Sequence, residues 1–475
     1  MINQHLRLAV IGGGASGTLA AIHLLRQSAP RVVHLFNDGF ELGRGVAYSS
    51  ACDQLLLNVP AARMSAFPDL PSHFVDWLKE RHGTRFTGDS FVPRQFFGDY
   101  LRENLEEAAS KATAGRLQLH AGRASEILRR KSGYAVVWDN QETEVDGVVL
   151  ALGNVPPANP VLGDNRFVAD PRYISSPWHE AGKLQRVAND ESVVIVGSSL
   201  TAVDTVLQLR EQGHRGEIVL ISRRGQWPSV HRLGLAPISQ DAMSLVGRGP
   251  AELTRLVRDQ IRQVEEMGGD WRQVIDGLRP ATNAIWAGWS LRERQSFLCH
   301  MRSYWDVRRH RMAPEVWARV QDEMSQGTLR LIAARVTEIR TEVDGLEVTY
   351  RPRCQSDPKT LRADVLINCT GSESLRRQCC QPVVRSLLEQ HLAVLDPLGL
   401  GLMASPDGHL TSPRGGNTRA LMAVGPVRRG NLWETTAIPE IRVQAKDVAA
   451  QLVGELVKSR EQKNRRKLVD PYPNS

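Results

Sequence analysis

The chain has 475 residues, which exceeds one ordinary hydrophobic core and predicts two domains with an insertion. Hydrophobic residues make up 41% and charged residues 24%, as in globular proteins, and 60 Lys and Arg against 52 Asp and Glu leave a net charge of +8. The basic residues are dispersed except at 458–467, which we interpret as a solvated tail, so we expect neither nucleic-acid nor membrane partners.

The cysteines and the apolar runs predict the cellular compartment of the protein. Six cysteines are scattered along the chain and show no metal-binding spacing, so we expect a reducing cytoplasm, no disulfide framework and no metal site. No signal peptide is evident, and no apolar run reaches the roughly 18–20 residues of a membrane span.

A predicted strand at 6–11, a glycine-rich turn and an amphipathic helix to about residue 26 open the chain. Glycines spaced as GxGxxG between a strand and a helix indicate a dinucleotide site. The first glycine permits the tight turn, the second lets the backbone approach a pyrophosphate, and the third packs helix against strand. The predicted contacts of this turn are Gly12, Gly14, Ala15, Ser16 and Gly17.

The second predicted strand, at 31–36, ends where an acidic ribose ligand is expected. Asn37 occupies that position and Asp38 follows it, so either side chain is a candidate for the ribose hydroxyls. A long irregular stretch, 37–71, comes next, and loops of this length are usually functional. Helices are predicted at 72–81 and 95–112, and strands near residues 118, 135 and 148 are predicted to form one small sheet ending at Gly153.

The opening pattern then repeats, with a strand at 192–196, a turn, a helix to about 212 and a strand at 217–222. The turn is degenerate, and its predicted contacts are Gly197, Ser199 and Thr201. Arg223 and Arg224 follow the second strand, where arginine suits the 2′-phosphate of NADP; the alternative is a pair of surface arginines.

A helical stretch at about 241–323 follows, then strands at 329–339, 347–350 and 365–369, and a last helix at 439–458. The fold class predicted from this order is α/β with two Rossmann-like dinucleotide-binding domains. We assign residues 1–185 and 330–475 to the first domain and 186–329, with the helical insertion, to the second.

Motifs along nearly the whole chain carry a resemblance to a known family. They are GRGVAY at 43–48, LNVPAARMS at 57–65, SPW at 176–178, SRRG at 222–225, YWDVRRHR at 304–311, NCTG at 368–371 and LWETTAIPEIR at 432–442. The chain resembles a bacterial FAD/NAD(P)-binding flavoprotein family with a glutathione-reductase-like fold, one branch of which is the FAD-dependent urate hydroxylases. The resemblance implies FAD and NADPH or NADH as cofactors, and dioxygen and a small molecule as substrates.

The resemblance also implies further cofactor contacts. They are Arg44, Asn58, Met64, Gly153, Gly371, Gly425, Thr436 and Ile438, and for Met64 the favoured alternative is packing in the core. Gly425 is followed by Pro426 where such flavoproteins often place Asp, so backbone amides near the last helix are expected to replace that contact.

Three residues are candidates for substrate chemistry. Arg63 lies in the long loop after the first turn, where such loops lie over a flavin. Arg308 and His310 lie in the helical stretch, where arginine and aromatic side chains suit a flat anionic ring and histidine suits a general base. The alternatives are a solvated, salt-bridged helix face and a structural histidine.

Several functions remain open at this point. The leading hypothesis is an NAD(P)H-dependent flavin monooxygenase that hydroxylates a small polar ring, with urate to 5-hydroxyisourate as the sharpest form. N-hydroxylation of an amine or amino acid is the alternative. A disulfide reductase needs a redox cysteine pair, for which only Cys52 and the adjacent Cys379 and Cys380 are available, and a non-catalytic nucleotide-binding protein is a further class. A homodimer is possible.

Overall fold

A computed structural model describes residues 5–238, 242–372, 375 and 381–469 of the chain. The α/β class with two Rossmann-like nucleotide folds is confirmed. Within the described residues, no helix combines the length and the apolar character that crossing a membrane requires.

The strands and helices of the described residues follow in chain order. The strands are β1 (Leu6–Ile11), β2 (Arg31–Asn37), β3 (Gly115–Ala121), β4 (Ala124–Arg130), β5 (Gly133–Trp138), β6 (Gln141–Val145), β7 (Gly147–Leu150), β8 (Tyr173–Ile174), β9 (Val193–Val196), β10 (Ile218–Ser222), β11 (Leu329–Glu342), β12 (Gly345–Pro352), β13 (Lys359–Ala363), β14 (Val365–Asn368), β15 (His409–Thr411) and β16 (Asn417–Ala423). The helices are α1 (Ala15–Leu25), α2 (Gly45–Tyr48), α3 (His73–His82), α4 (Arg94–Lys111), α5 (Ala181–Leu184), α6 (Leu200–Glu211), α7 (Pro250–Glu266), α8 (Trp271–Gly277), α9 (Thr282–Gly288), α10 (Leu291–Ser296), α11 (Arg302–Arg309), α12 (Pro314–Ser325), α13 (Pro382–Glu389) and α14 (Ile438–Val469).

The first sheet places the carboxyl ends of three strands side by side. Its order is β15-β16-β7-β1-β2-β3, and β1 pairs in parallel with both β2 and β7. Ile11 is level with Phe36 on one side and Leu150 on the other, so the loops after these strands meet at one edge. Helices α1, α4 and α14 cover the sheet. That edge is where ligands bind in open α/β sheets.

One sequence prediction about this half was wrong. The strands near residues 118, 135 and 148 do not form one small sheet: β3 and β7 join the first sheet, and only β5 lies in the antiparallel sheet β4-β5-β6. Strand β7 is buried at every position, as expected of a central parallel strand covered on both faces. Which sheet a strand joins is decided by pairing with strands far away in the sequence, and a short apolar run does not reveal its partner.

The second sheet repeats the arrangement around the degenerate turn. Its order is β13-β12-β11-β10-β9-β14-β8, with β9 pairing in parallel with β10 and β14. Strand β11 runs parallel to β10 in its first half and antiparallel to β12 in its second. The carboxyl ends of β9, β10 and β14 therefore form a second ligand-binding edge.

The helices between β10 and β11 pack against the last part of the chain. Their apolar core contains Trp286, Trp289 and Phe297 together with Trp433, which precedes α14. The Trp286 indole N–H donates to the carbonyl of Gly430 (2.9 Å). The helical insertion is thereby fixed against the segment that leads into α14.

Candidate functional site

A cleft of about 480 Å³ opens at the carboxyl edge of the first sheet. The glycine-rich turn after β1 forms its floor, and a Cβ atom on Gly12 would lie 2.4 Å from the Ala151 carbonyl oxygen. Gly12 also has φ +107°, a conformation that side chains disfavour. A Cβ on Gly17 would lie 1.7 Å from the Gly12 oxygen, so this glycine packs α1 against the turn, as the fingerprint requires.

The amino end of α1 faces the cleft. Gly14, Ala15 and Ser16 all line it, and Gly14 caps the helix without a side-chain partner for the free amides. No acidic residue lies in the first turn of α1. Free amide groups and the helix dipole at this point suit a pyrophosphate.

The ribose end of the cleft is formed by the loop after β2. Asn37 and Asp38 both line the cleft, together with Arg123, which the sequence did not indicate. Asn37 donates to the Phe40 carbonyl (2.6 Å), which orients its amide. Asp38 lies 3.6 Å from the Arg123 guanidinium, and both Asn37 and Asp38 stay candidates for the ribose hydroxyls.

Arg44 forms part of the cleft wall and is held by two carboxylates. Its guanidinium contacts Glu41 at 2.9 Å and Asp99 at 2.8 Å, and only 16% of the side chain is exposed. Since both carboxylates already share its charge, we interpret Arg44 as positioning the 43–48 loop as well as facing the cleft. His179 also lines the cleft and has its pKa lowered by burial; it directly follows the SPW motif at 176–178, but the sequence did not indicate it as a site residue.

The far end of the cleft is built by the segment before α14. Pro426, Thr436 and Ile438 line it, at the amino end of that helix. Gly425 is buried with φ +80°, and a Cβ there would lie 2.7 Å from the Ser16 hydroxyl. Gly425 therefore lets this segment approach α1 and does not line the cleft itself.

These features fit FAD. The glycine turn at Gly12 and Gly17, where a Cβ atom would clash, leaves room for a pyrophosphate beside the backbone. Asp38 lines the cleft at the ribose position, and the amino end of α14 lines its far end. When bound, FAD supplies the ability to accept a hydride from a nicotinamide and to deliver electrons to dioxygen.

The second nucleotide turn follows β9. Gly197 has φ +122°, and a Cβ would lie 2.2 Å from the Cys369 carbonyl oxygen, so this glycine is required by close packing. Ser199 is exposed at the amino end of α6, which suits a dinucleotide phosphate, and Thr201 accepts the Thr205 hydroxyl through its carbonyl (2.7 Å).

The two arginines after β10 have different surroundings. Arg223 is exposed. Arg224 donates to the Tyr304 hydroxyl (2.6 Å) and stacks its guanidinium 4.1 Å from that ring, which ties the second nucleotide fold to α11. Arg223 is therefore the freer of the two to meet a 2′-phosphate.

Two predicted contacts in the long loop lie elsewhere. Met64 is 2% exposed and packs in the main core, because an unbranched thioether suits that apolar interior, so it does not line the cleft. Asn58 is also outside the cleft lining, and its carbonyl pairs with His231 (2.9 Å) of the second domain.

Arg63 lies where the loop faces the helical insertion. The residue is exposed, yet surrounding protein and the charges of Arg279, Arg309 and Arg311 lower the pKa of its guanidinium, while Asp276 opposes this. It therefore belongs to a basic interdomain region and not to the lining of the FAD cleft.

A second cavity of about 250 Å³ adjoins the cleft. The two share Gly153, Asn154 and Pro426 among their lining residues. Gly371 lines the smaller cavity, as do Arg302, one of the arginines of the helical stretch, and Arg429, which the sequence did not indicate. We call this the smaller cavity.

The predicted substrate arginine in α11 does not reach the smaller cavity. Arg308 donates to the Tyr304 carbonyl of its own helix (3.3 Å) and is outside the lining. Helical spacing places Arg308 and Arg302 on different faces, and only packing against the rest of the protein shows which face meets the cavity.

His310 lies directly after α11, beside Asp306. Its Nε2 is 3.9 Å from Asp306 Oδ1. Asp306 also accepts a hydrogen bond from Nε of Arg302 (3.2 Å), and Arg302 lines the smaller cavity. Burial lowers the pKa of His310, and the positive charges of Arg309 and Arg429 lower it further, although Asp306 and Glu434 oppose this. His310 is therefore neutral at pH 7 and able to accept a proton.

A buried ion pair connects α11 to the segment before α14. Arg309 contacts Glu434 at 3.0 Å, and their side chains are 12% and 5% exposed. Within the described residues, Glu434 Oε1, Arg309 Nε and Asp306 Oδ1 are buried without a hydrogen-bond partner. Buried polar atoms are normally satisfied, so this group of atoms indicates a place for water or ligand.

None of the described cysteines lines the cleft or the smaller cavity. Cys369 is buried with its pKa raised to about 12 by burial, and neither it nor Cys52 lines either cavity. Cys379 and Cys380 lie outside the described residues. Among the described side chains, no three His, Cys, Asp or Glu converge as a metal site would require.

The fold and the paired nucleotide edges are those of the two-dinucleotide-binding flavoprotein fold. Residues 9–155 match the family described as FAD-NAD(P)-binding. This part of the chain is thus an FAD/NAD(P)-binding domain, which confirms the predicted resemblance at that level and supports FAD with a nicotinamide dinucleotide as cofactors.

Known proteins agree with this class. The uncharacterized protein YdhS of Escherichia coli is 22% identical over 223 residues, a match that spans 43% of this chain and 40% of that relative. An ornithine N-hydroxylase from Kutzneria sp. 744, with reduced FAD, NADP+ and L-ornithine, has a TM-score of 0.62 at 16% identity, covering 95% of this chain and 99% of its own. The L-lysine 6-monooxygenase from Pseudomonas syringae has a TM-score of 0.62 at 15% identity, covering 95% and 100%.

Proposed function

We propose that the protein is an NADPH-dependent flavin monooxygenase that hydroxylates the nitrogen of a small amine. The observation that carries this proposal is the smaller cavity, which adjoins the FAD cleft and is lined by Arg302, whose partner Asp306 lies beside the neutral His310. The reaction balances as R–NH2 + O2 + NADPH + H+ giving R–NHOH + H2O + NADP+.

The fold neighbours favour nitrogen over a purine ring. Two solved structures that align over nearly their whole length are an ornithine N-hydroxylase and a lysine monooxygenase. Neither they nor the FAD-NAD(P)-binding match supports urate as substrate. We therefore rank the amine above the urate hypothesis.

Hydroxylation of an amine requires a free lone pair on nitrogen. An alkylamine has a pKa near ~10, so it arrives as an ammonium ion at pH 7 and must lose a proton. His310 is the candidate acceptor because burial keeps it neutral, and Asp306 would stabilise the cation that forms.

The dinucleotide would enter at the second sheet. Ser199 at the amino end of α6 suits a phosphate, and the exposed Arg223 suits the 2′-phosphate of NADPH. The reducing cytoplasm and the homodimer stay predictions.

The test is product analysis with FAD-loaded protein. NADPH oxidation is measured in air with L-ornithine, L-lysine, putrescine, cadaverine and urate, and hydroxylamine and hydrogen peroxide are quantified. We expect hydroxylamine in proportion to NADPH with at least one amine. Hydroxylated product from urate alone would replace the amine proposal, and hydrogen peroxide alone with every compound would contradict both.

A further inference from the structure

The described residues that line the smaller cavity carry positive charge, which is unusual for a site that binds a cationic amine. Two guanidiniums, Arg302 and Arg429, line it, and the described residues that line it include no carboxylate. The remaining polar groups there are neutral, such as those of Asn154, Thr370 and Ser372. A cationic amine alone would be repelled by such a lining.

The charge of Arg429 is poorly compensated. Within the described part of the chain its Nε is buried without a partner, and its guanidinium lies 4.6 Å from the Trp433 ring centre. Burial lowers the pKa of Arg429 to about 10, and the charge of Arg302 lowers it further, although Asp306 and Glu434 oppose this. A buried guanidinium without a full set of acceptors is costly unless an anion completes it.

Arg302 is partly compensated and sits on the same wall. Its Nε donates to Asp306 at 3.2 Å, and its guanidinium lies 5.9 Å from the same Trp433 ring. Trp433 therefore contacts both guanidiniums, and both residues line the smaller cavity.

We propose that Arg429, assisted by Arg302, binds a carboxylate in the smaller cavity, and, resting on the proposed N-hydroxylation, that the substrate is an amino acid and not a simple diamine. Guanidinium matches carboxylate with two parallel hydrogen bonds. The volume of about 250 Å³ holds roughly eight water-sized groups, which suits a small amino acid. A carboxylate held at Arg429 would leave the amine free to extend past Gly153 and Asn154 towards the FAD cleft.

The same anion chemistry could serve a phosphate of the dinucleotide. The substrate carboxylate and the dinucleotide phosphate are distinguished by measuring the affinity of the protein for amino acids and for NADPH separately. The second nucleotide turn and Arg223 already provide phosphate donors at the ends of β9 and β10, which favours the substrate carboxylate for Arg429.

The experiment compares matched pairs of ligands by calorimetry on the FAD-loaded protein. The pairs are L-ornithine with putrescine, and L-lysine with cadaverine, which differ by the carboxylate. In the wild type we expect at least one amino acid to bind about tenfold or more tightly than its diamine.

Arg429→Gln should weaken amino-acid binding by about ten- to a hundredfold and leave diamine binding within about twofold. Arg429→Lys, which keeps the charge without the planar fork, should fall between. The matched control is Arg255→Gln, on an exposed site of α7, which should change neither.

The outcomes separate this proposal from the proposed function. Equal binding of amino acid and diamine by the wild type would overturn the carboxylate assignment, whatever the variants do. A loss of NADPH affinity alone in Arg429→Gln would assign the pocket to the dinucleotide and overturn it as well. If amino acids bind through Arg429 but no hydroxylamine forms, the N-hydroxylase proposal fails and the carboxylate site stands.

Discussion

One buried ion pair joins the two nucleotide folds directly. Arg94, at the start of α4 in the first fold, contacts Asp204 in α6 of the second at 2.7 Å. Their side chains are 16% and 7% exposed, and Arg94 Nε also donates to the Leu56 carbonyl (2.9 Å). Burial raises the pKa of Asp204, while the charge of Arg94 and its hydrogen bond lower it.

Replacing Arg94 by Met removes the only charge that compensates Asp204 among the described residues. Breaking such a buried pair typically costs about 3–5 kcal/mol. The cost has an upper limit, because Asp204 can take up a proton instead of staying charged without a partner. Protonating a carboxyl of usual pKa ~3.9 at pH 7 costs about 4 kcal/mol, at ~1.4 kcal/mol for each pH unit. We therefore expect Arg94→Met to lower the free energy of unfolding by about 4 kcal/mol at pH 7.

The penalty should depend on pH with a definite sign. In Arg94→Met the folded protein holds a proton on Asp204 that the unfolded chain releases above pH ~4. The folded state then binds more protons, so the penalty shrinks by about 1.4 kcal/mol for each unit as pH falls from 7 towards 5. Asp204→Leu added to Arg94→Met should restore most of the loss, since an apolar residue needs no counter-charge.

Urea unfolding of the FAD-loaded protein, followed by tryptophan fluorescence from pH 5 to 8, measures these changes relative to wild type. Arg330→Met is the control, because Arg330 forms an exposed pair with Glu217 and should cost below about 1 kcal/mol. A cost below about 1 kcal/mol for Arg94→Met, or a penalty that does not change with pH, would refute the argument that an uncompensated Asp204 is the cause.

Four further predictions concern the nucleotide sites, the candidate base and a buried histidine. Gly12→Ala should abolish FAD retention, seen as loss of flavin absorbance in the purified protein, because its Cβ would clash with a carbonyl 2.4 Å away; Gly163→Ala, with open space around it, should retain FAD. Arg223→Ala should raise KM for NADPH about tenfold and leave KM for NADH unchanged, and an unaltered preference would remove the 2′-phosphate assignment. His310→Gln should lower kcat by about a hundredfold and remove the acidic limb of the pH profile, which in the wild type should lie below pH 6.5 because burial lowers the pKa of His310; a limb that persists would exclude His310 as the base. Burial lowers the pKa of His23 to about 4, so the unfolded chain binds its proton first and stability should fall by up to about 3 kcal/mol as pH drops from 6.5 to 4; urea midpoints of His23→Leu should lack that part of the pH dependence.

The sequence by itself determined the nucleotide-binding elements. Strand β1, the turn at Gly12 and helix α1 follow from a local pattern, because a glycine at φ +107° and a helix start are specified within a few residues. The same holds for the second copy at Gly197 and for the helical character of the stretch that carries α7 to α12. Local conformation and hydrophobic periodicity suffice for such elements.

Only the tertiary structure decided which side chains meet around the smaller cavity. Arg302 and Arg429 lie far apart in the sequence, and nothing near either residue marks it as a partner of the other. Conversely, Met64 and Arg308 lie in suggestive motifs, yet packing places one in the core and turns the other back onto its own helix. Long-range strand pairing and the docking of the insertion onto Trp433 set these distances, and neither leaves a local signal in the chain.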